Sequence, residues 1–320
     1  MLKNSHSKYQ ASWLEAVCKG LKHKDYILRA PTNERLNLAL VDTRIFGRFL
    51  VSVPYVNSGG VDQLDKATAR ALVSEACDLA DQLDVHYLEL RHEQGINHPR
   101  LNHERSDKVH MRLLLPKCAT KLDANFKSKL RSQIRKAGTH GHQLKIGSHE
   151  LLDEFYEIFA ANMRDLGTPV FSKKLFSSIL QTFGKQAEIC VATNNGTPVA
   201  AALLVHSDGK TEVPSASCLR KWNHTGANMW MYRQLLGRAI ERGSQTFDFG
   251  RSSKDSGTYK FKAQWGAQPH PATWQYYVRK GSVEDMRPDS AKNTKRIETW
   301  KKLPVWLTKI IGPPIVRGIP

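Results

Sequence analysis

The sequence predicts an α/β protein in which helices cover the faces of a mixed sheet. Short β-prone runs alternate with longer segments whose apolar residues recur at helical spacing. The turn-forming residues Asn194-Asn195-Gly196 separate two β-prone runs, which indicates an antiparallel hairpin. The order strands, helix, strand occurs twice along the chain without residue-level self-similarity. We therefore expect two domains of similar architecture and a mixed rather than a purely parallel sheet.

The N-terminal domain, residues 1–141, begins with three short β-prone runs and a turn at Ser58-Gly59-Gly60. A long helix, two further strands and a basic helix follow, the last ending near Gly138 and Gly141. The predicted strands are Tyr26–Arg29, Leu36–Val41, Arg48–Val53, Val85–Leu90 and His110–Leu115. The predicted helices are Asp62–Leu83 and Lys121–Ala137.

The C-terminal domain, residues 142–284, contains the hairpin, three predicted helices and a closing strand rich in aromatic residues. Residues 285–320 form a basic, proline-containing tail. The predicted strands are Leu144–Ile146, Ala187–Thr193, Thr197–Val205, Glu212–Leu219, Thr246–Phe249 and Thr273–Arg279. The predicted helices are His149–Met163, Lys173–Phe183 and Ala227–Arg242.

The net charge of +18, from 48 Lys and Arg against 30 Asp and Glu, favours polyanionic partners such as RNA, nucleotide-linked substrates, coenzyme A or anionic lipid. A solubility role is the alternative. Five scattered cysteines without a C-x-x-C pair predict reduced thiols and no metal site. No long apolar run and no apolar leader are visible, so we expect a cytoplasmic protein.

Phe247–Gly266 is the stretch richest in functional groups. An apolar strand-like run ends at Gly250 and Arg251, a polar loop follows, and a helix-compatible segment then carries Lys262 and Trp265. A strand end, a flexible loop and a cationic helix together form a place where a substrate can bind. The neighbouring Lys260 is interpreted as a surface charge.

The order hairpin, strand, helix, strand is that of the acyl-CoA-binding N-acetyltransferase (GNAT) fold, in which helix amides face the donor phosphates. The corresponding helix begins near Thr225, Gly226 and Asn228, which we predict to bind the donor. Gly226 allows close backbone approach and Thr225 can cap the helix. A coenzyme-like spacing at 234–239 lies two turns inside the helix and is interpreted as a chance match.

Phe247–Gly266 resembles the FemAB-like transferases, and in particular the branch that accompanies exosortase/PEP-CTERM exopolysaccharide loci. Further similar blocks lie at 52–60, 87–92, 162–170 and 212–217. The resemblance implies two tandem GNAT-like domains and transfer of an acyl or aminoacyl group to an amine. It also implies acyl-CoA or aminoacyl-tRNA as co-substrate, no permanently bound cofactor, and a nucleotide- or lipid-linked glycan precursor as acceptor.

The resemblance implies that Lys262, in the family's F-K-x-x-F/W-G block, faces substrate phosphate and the reacting carbonyl. Arg251 offers a bidentate fork for phosphate or carboxylate, and Tyr259 can donate a hydrogen bond near the reacting group. These three are the predicted catalytic residues. A structural ion pair is the alternative for Lys262 and Arg251.

Four further residues are predicted to bind substrate, each with a structural alternative. Arg164 and Asp165 either face the same cleft or form a local ion pair at a helix end. Asp248 either orients a cation or lies on a solvated face, because it alternates with two phenylalanines. Trp265 either walls the substrate site or packs in the core.

The tail from Trp300 onwards mixes Trp, Leu and Ile with Lys and Arg. It is suited either to docking on an anionic membrane at the cytoplasmic face or to packing on its own protein. Pro304, Pro313 and Pro314 are expected to prevent one continuous helix.

The alternative to a transferase is a non-catalytic module that binds RNA or an anionic glycan. DNA is not an expected partner.

Overall fold

The computed structural model describes residues 2–44, 46–61, 64–282 and 294–319 of the chain. Ten α-helices and eleven strands lie within these ranges, with short 3-10 turns between some of them. The helices are α1 (Leu2–Leu21), α2 (Lys66–Gln82), α3 (Ala119–Asn125), α4 (Ser128–Gly138), α5 (Leu152–Leu166), α6 (Lys173–Phe183), α7 (Ala227–Glu241), α8 (Gly257–Ala263), α9 (Thr294–Lys301) and α10 (Val305–Val316). The strands are β1 (Lys24–Arg29), β2 (Arg35–Thr43), β3 (Gly47–Ser52), β4 (Tyr87–His92), β5 (His103–Leu114), β6 (His142–Gly147), β7 (Ala187–Asn194), β8 (Thr197–Ser207), β9 (Lys210–Cys218), β10 (Thr246–Ser253) and β11 (Gln268–Val278).

The described strands form one mixed sheet in the order β1-β2-β3-β4-β11-β5-β10-β9-β8-β7-β6. Antiparallel meanders occupy both ends, and each leads into one parallel pair, β3 with β4 and β9 with β10. This confirms the predicted mixed α/β class. The centre is interleaved, because β11 lies between β4 and β5 of the N-terminal segment. The boundary at 141/142 remains a proposal about the chain, since the two segments share the middle of the sheet.

Both parallel pairs separate after three residue pairs. In β9 and β10 the paired residues end at Glu212 and Asp248, and a bulge then bends β10 where Gly250 has φ of +74°. In β3 and β4 the space beyond the pairing is filled, because the amides of Gly59 and Gly60 both donate to Arg91 O at 3.0 Å. Of these two separations, the one between β9 and β10 is therefore the candidate cleft.

Side chains from both faces of the C-terminal strands are buried, because helices cover both sides. Ile189 and Leu203 pack on the face covered by α1, α5 and α6. Their sequence neighbours Cys190 and Leu204 pack on the opposite face with α4 and α7. The alternation of residues along each strand thus builds two cores around one sheet.

Helix α1 was not anticipated from the sequence. Its Trp13 and Val17 are buried in the core shared with α5 and α6. A Cβ at Gly20 would lie 2.6 Å from Leu175 Cα, so the helix end approaches α6 closely. The segment is polar on average, and its helical conformation depends on this packing more than on its own apolar periodicity.

The single basic helix predicted over Lys121–Ala137 is wrong. It is divided into α3 and α4 because Phe126 adopts an extended backbone and its ring turns into the core, 5.5 Å from the Trp265 ring. Helix α2, predicted over Asp62–Leu83, begins later than expected, at Lys66. The Asp65 carboxylate caps it by accepting the amides of Ala67 and Thr68.

The expectation that the tail prolines interrupt the helix is wrong in part. Pro304 caps α10, but Pro313 and Pro314 lie inside it, and Pro313 O still accepts the amide of Arg317 at 3.2 Å. A proline near a helix end removes an amide donor but leaves its carbonyl available. Within the residues described above, no helix has both the length and the apolar character that crossing a bilayer requires.

Candidate functional site

A small cavity lies at the point where β9 and β10 separate. Its volume is about 40 Å³, which holds a few water molecules or a small functional group. Side chains from α1, from the loop after β3 and from strands β5, β9 and β10 converge on it. The charged and aromatic lining includes Tyr9, Trp13, Tyr55, His110, Arg112, Lys210, Glu212 and Asp248.

The strand register places the central charges in one row. Arg112 of β5 lies opposite Asp248 of β10, and Asp248 lies opposite Glu212 of β9. Arg112 Nε donates to Asp248 Oδ2 at 2.9 Å, and the other Asp248 oxygen accepts the Gly250 amide at 2.8 Å. Burial alone would raise the pKa of Asp248, but the charges of Lys210 and Arg112 outweigh it and lower that pKa. Asp248 is buried, so the solvated-face interpretation is wrong. Its carboxylate does contact a cation, Arg112, whereas its role in binding substrate stays a prediction.

Arg112 is held from its other side by Glu93, which follows β4. Arg112 Nη1 donates to Glu93 Oε2 at 2.9 Å, and Nη2 donates to Oε1. Burial alone would raise the pKa of Glu93, but the hydrogen bonds and charge of Arg112 lower it to about 2. The guanidinium is therefore fixed between two ionised carboxylates at the cavity wall.

At the opposite end of the row, Lys210 pairs with Glu212. The Tyr9 hydroxyl donates to Glu212 Oε2 at 2.6 Å, and Lys210 Nζ lies 5.2 Å from the centre of the Tyr9 ring. Burial and then the charge of Glu212 raise the pKa of Tyr9, so this phenol stays protonated. Burial would lower the pKa of Lys210, yet Glu212 and Asp248 raise it, so the lysine stays charged.

His110 is a buried imidazole in the cavity wall, and its Nε2 has no hydrogen-bond partner among the residues that the structure describes. Burial lowers its pKa, against the smaller opposing effect of Asp248. The ring is therefore neutral at neutral pH and keeps one uncommitted ring nitrogen.

Lys262 lies behind the same bulge. Its Nζ donates to Gly250 O at 3.1 Å and to Arg251 O at 3.0 Å. An ammonium group has three donors, so one remains for a ligand. Burial lowers the pKa of Lys262 to about 8, against the smaller opposing effect of the Asp248 charge. Neither Lys262 nor Arg251 itself lines the cavity. Gly250 does line it, and the amide of Gly250 donates to Asp248 while its carbonyl accepts from Lys262.

Arg251 lies within β10, which continues to Ser253, and not at the strand end that the sequence suggested. Its guanidinium stacks 3.6 Å from the centre of Trp274, and Arg91 stacks on the same indole at 4.2 Å. Burial and then the charge of Arg91 lower the pKa of Arg251 to about 10. Arg91 is neutralised by Glu89, 2.7 Å away. Trp274 Nε1 donates to Asn57 O, which ties the stack to the cavity loop.

Neither Lys262 nor Arg251 forms a salt bridge with any described residue, so the ion-pair alternative is wrong for both. A charged donor that no carboxylate satisfies is available to an anionic ligand.

Other predicted site residues lie elsewhere. Trp265 is 1% exposed and packs among Phe126, Tyr232 and Phe261, so its role is core packing. Tyr259 is half-buried against the same core, and its amide is capped by Ser256 Oγ at 3.2 Å. It does not line the cavity.

Arg164 and Asp165 form the local ion pair, with Arg164 Nε 2.7 Å from Asp165 Oδ1. Arg164 also donates to Leu303 O at 3.0 Å, so it fastens the tail to α5. The cleft-facing interpretation of this pair is wrong.

The predicted donor-binding residues lie at the start of α7, but Thr225 does not cap it. The Thr225 hydroxyl donates to Trp222 O at 2.7 Å, and Gly226 precedes the helix with φ of +69°. A Cβ at Gly226 would lie 2.9 Å from Ala137 Cβ, so the close approach that needs glycine is to α4. Asn228 is half-buried in the first turn, where helical amides have no intrahelical partner.

The sequence patterns do not single out Arg112, Lys210 or Tyr9. Two of the resemblance blocks carry a usable signal, because Tyr55 lies in 52–60 and Glu212 begins 212–217. Arg112 has no such signal. Its importance depends on the register that places it opposite Asp248.

The comparisons with known proteins agree with this architecture. Residues 124–263 match the family model of the acetyltransferase (GNAT) domain, whereas no curated protein matches the sequence. The fold is similar to that of FemX, with a TM-score of 0.64, 14% identity, and coverage of 84% of this chain and 91% of FemX. It is also similar to L-PGS from Bacillus licheniformis, with a TM-score of 0.54, 13% identity, and coverage of 93% and 96%. Residues 124–263 are therefore similar to a GNAT acetyltransferase domain, and the fold of the chain is similar to that of FemX.

Proposed function

We propose that the protein transfers an acyl or aminoacyl group to an amine of a cell-envelope glycan precursor. The donor is acyl-CoA or aminoacyl-tRNA, and the acceptor is nucleotide- or lipid-linked. The GNAT match supports the acyltransferase class. The names of FemX and L-PGS motivate the aminoacyl alternative, but similarity at this level of identity concerns the fold alone.

The observation that carries the proposal is the charged cavity at the separation of β9 and β10. Parallel strands that separate expose main-chain donors and acceptors between them, and an activated acyl group can lie there. The cavity itself has room for an amine and a carbonyl oxygen, whereas the rest of both substrates must lie outside it.

In the proposed step the acceptor nitrogen attacks the carbonyl carbon of the donor. A C–N bond forms, the C–S bond of a thioester or the C–O bond of an aminoacyl ester breaks, and the amine proton passes to the departing thiol or hydroxyl. Lys262 donates its remaining N–H to the developing oxyanion. Arg251 binds an acceptor phosphate or carboxylate from its platform on Trp274.

The test uses purified full-length protein with labelled acetyl-CoA and, separately, charged tRNA, across a panel of amino-sugar and amino-sugar nucleotide acceptors. The expected result is labelled amide product with one donor class. Transfer with neither donor, together with retained binding of RNA or anionic glycan, would favour the non-catalytic binding module instead.

A matched pair of lysine variants separates catalysis from general charge. Lys262→Met should abolish transfer, because it removes the buried donor beside Gly250. Lys260→Met changes an exposed lysine on the same helix and should leave the rate within about twofold of the wild type. Equal losses in both variants would contradict the assignment of Lys262.

A further inference from the structure

The outer side of α10 presents a row of apolar side chains to solvent. Trp306 is 62% exposed and Ile310 is 64% exposed, and the exposed Pro314 follows four residues later. Residues four apart lie on the same side of a helix, so the three form one outer stripe. Large apolar groups gathered on one exposed face are typical of a contact surface.

The inner side of α10 is fixed on the protein. Thr308 is 1% exposed, and Val316 is also buried. A Cβ at Gly312 would lie 2.8 Å from Val170 N, so the helix is in close contact with the segment after α5. Lys309 Nζ also lies 2.6 Å from Glu157 Oε1. The helix therefore cannot turn its outer stripe inward without losing this packing.

The segment that carries the stripe has an excess of positive charge, of which Lys301 is paired with Glu298 and Lys309 with Glu157. Residues 295–319 contain six Lys and Arg and one acidic residue, Glu298, after which the chain has no Asp or Glu. Lys302 is exposed just before Pro304, which caps the helix. A partner that fits this surface must have an apolar region directly next to negatively charged groups.

An anionic lipid surface offers that combination. Indole and aliphatic side chains enter the boundary between headgroups and acyl chains, and Lys and Arg are attracted to the lipid phosphates. We propose that the outer stripe of α10 docks the protein on an anionic membrane, with Trp306 and Ile310 inserted and Lys302 at the phosphates. This resolves the two interpretations of the tail together: one face packs on the protein, and the other binds lipid.

The experiment is co-sedimentation of the full-length protein with vesicles of phosphatidylcholine alone or mixed in equal parts with phosphatidylglycerol. The wild type should bind the mixed vesicles more strongly, and added salt should weaken that binding. Trp306→Ala with Ile310→Ala should reduce binding to the mixed vesicles about tenfold or more, because two inserted side chains are removed. Lys302→Glu should weaken binding to the mixed vesicles only.

Leu114→Ala is the matched control, because Leu114 is 81% exposed at the end of β5 and far from the tail in sequence. It should bind vesicles as the wild type does, and thermal unfolding of every variant should be unchanged. Equal binding of the double variant and the wild type would overturn the proposal. So would a double variant that changes only the oligomeric state in light scattering, because the stripe would then contact a second copy of the chain.

Discussion

Glu93→Gln tests whether the carboxylates around Arg112 are as strongly ionised as the cavity geometry requires. The substitution keeps the size of the side chain and removes its charge. Arg112 then loses its bidentate partner and retains Asp248. We expect a loss of stability that is largest at neutral pH and decreases in acid.

The magnitude follows from the pKa of Glu93, which Arg112 lowers from 4.5 to about 2 against the effect of burial. A shift of roughly 2.5 units corresponds to about 3 kcal/mol at pH 7. Because the folded pKa lies below the unfolded one, this stabilisation is complete above the unfolded pKa and disappears as the pH falls through the folded one. At pH 3.5 the same linkage relation predicts that about 2 kcal/mol of this stabilisation remains.

The assay is urea unfolding of the wild type and Glu93→Gln at pH 7 and at pH 3.5. Glu75→Gln, at an exposed position of α2, is the control and should match the wild type at both pH values. A difference between Glu93→Gln and the wild type below about 0.5 kcal/mol at pH 7, or one that grows in acid, would refute the reasoning.

Three further predictions concern the cations and the core. The transfer rate should fall as the pH rises through about 8, because Lys262 has a pKa of about 8 and acts as an ammonium. Any residual activity of Lys262→Met should lack this transition in its pH–rate profile. Arg251→Ala should lower kcat/KM for an anionic acceptor roughly tenfold to a hundredfold. The free energy of unfolding should change by no more than about 1 kcal/mol, because the interaction removed is the stack on Trp274. Equal turnover of anionic and neutral acceptors by the wild type would contradict this role. Trp265→Ala should destabilise the protein by about 3–5 kcal/mol in chemical denaturation, because it leaves a large cavity in the core. A Trp265→Ala variant that is stable but inactive would instead support the predicted role of Trp265 in binding substrate.

Local patterns were sufficient for most strands and for the position of the motif. The Asn194-Asn195-Gly196 turn does join β7 to β8, and the hydrophobic runs on either side are buried as expected. Such signals depend on residues close together in the chain, so they can be read directly.

The cavity depends on contacts between distant residues and was only partly predictable. Tyr9 and Glu212 are 203 positions apart, and Arg112 and Asp248 are 136 apart. No local periodicity encodes these pairs. Helix α1 was missed for the same reason, because Trp13 packs against the distant Phe183 ring, 5.0 Å away, as well as against Tyr9 of its own helix.

The interleaved centre of the sheet has a consequence for how the chain can be synthesised and divided. Strand β5 has β10 and β11 as its two neighbours, and both are made long after it. During translation the edges of β4 and β5 that pair with β11 stay unpaired until β11 has been synthesised. Unpaired strand edges can associate with other chains. A fragment ending at residue 141 would keep those edges permanently. The two segments should therefore be soluble only when they are produced together.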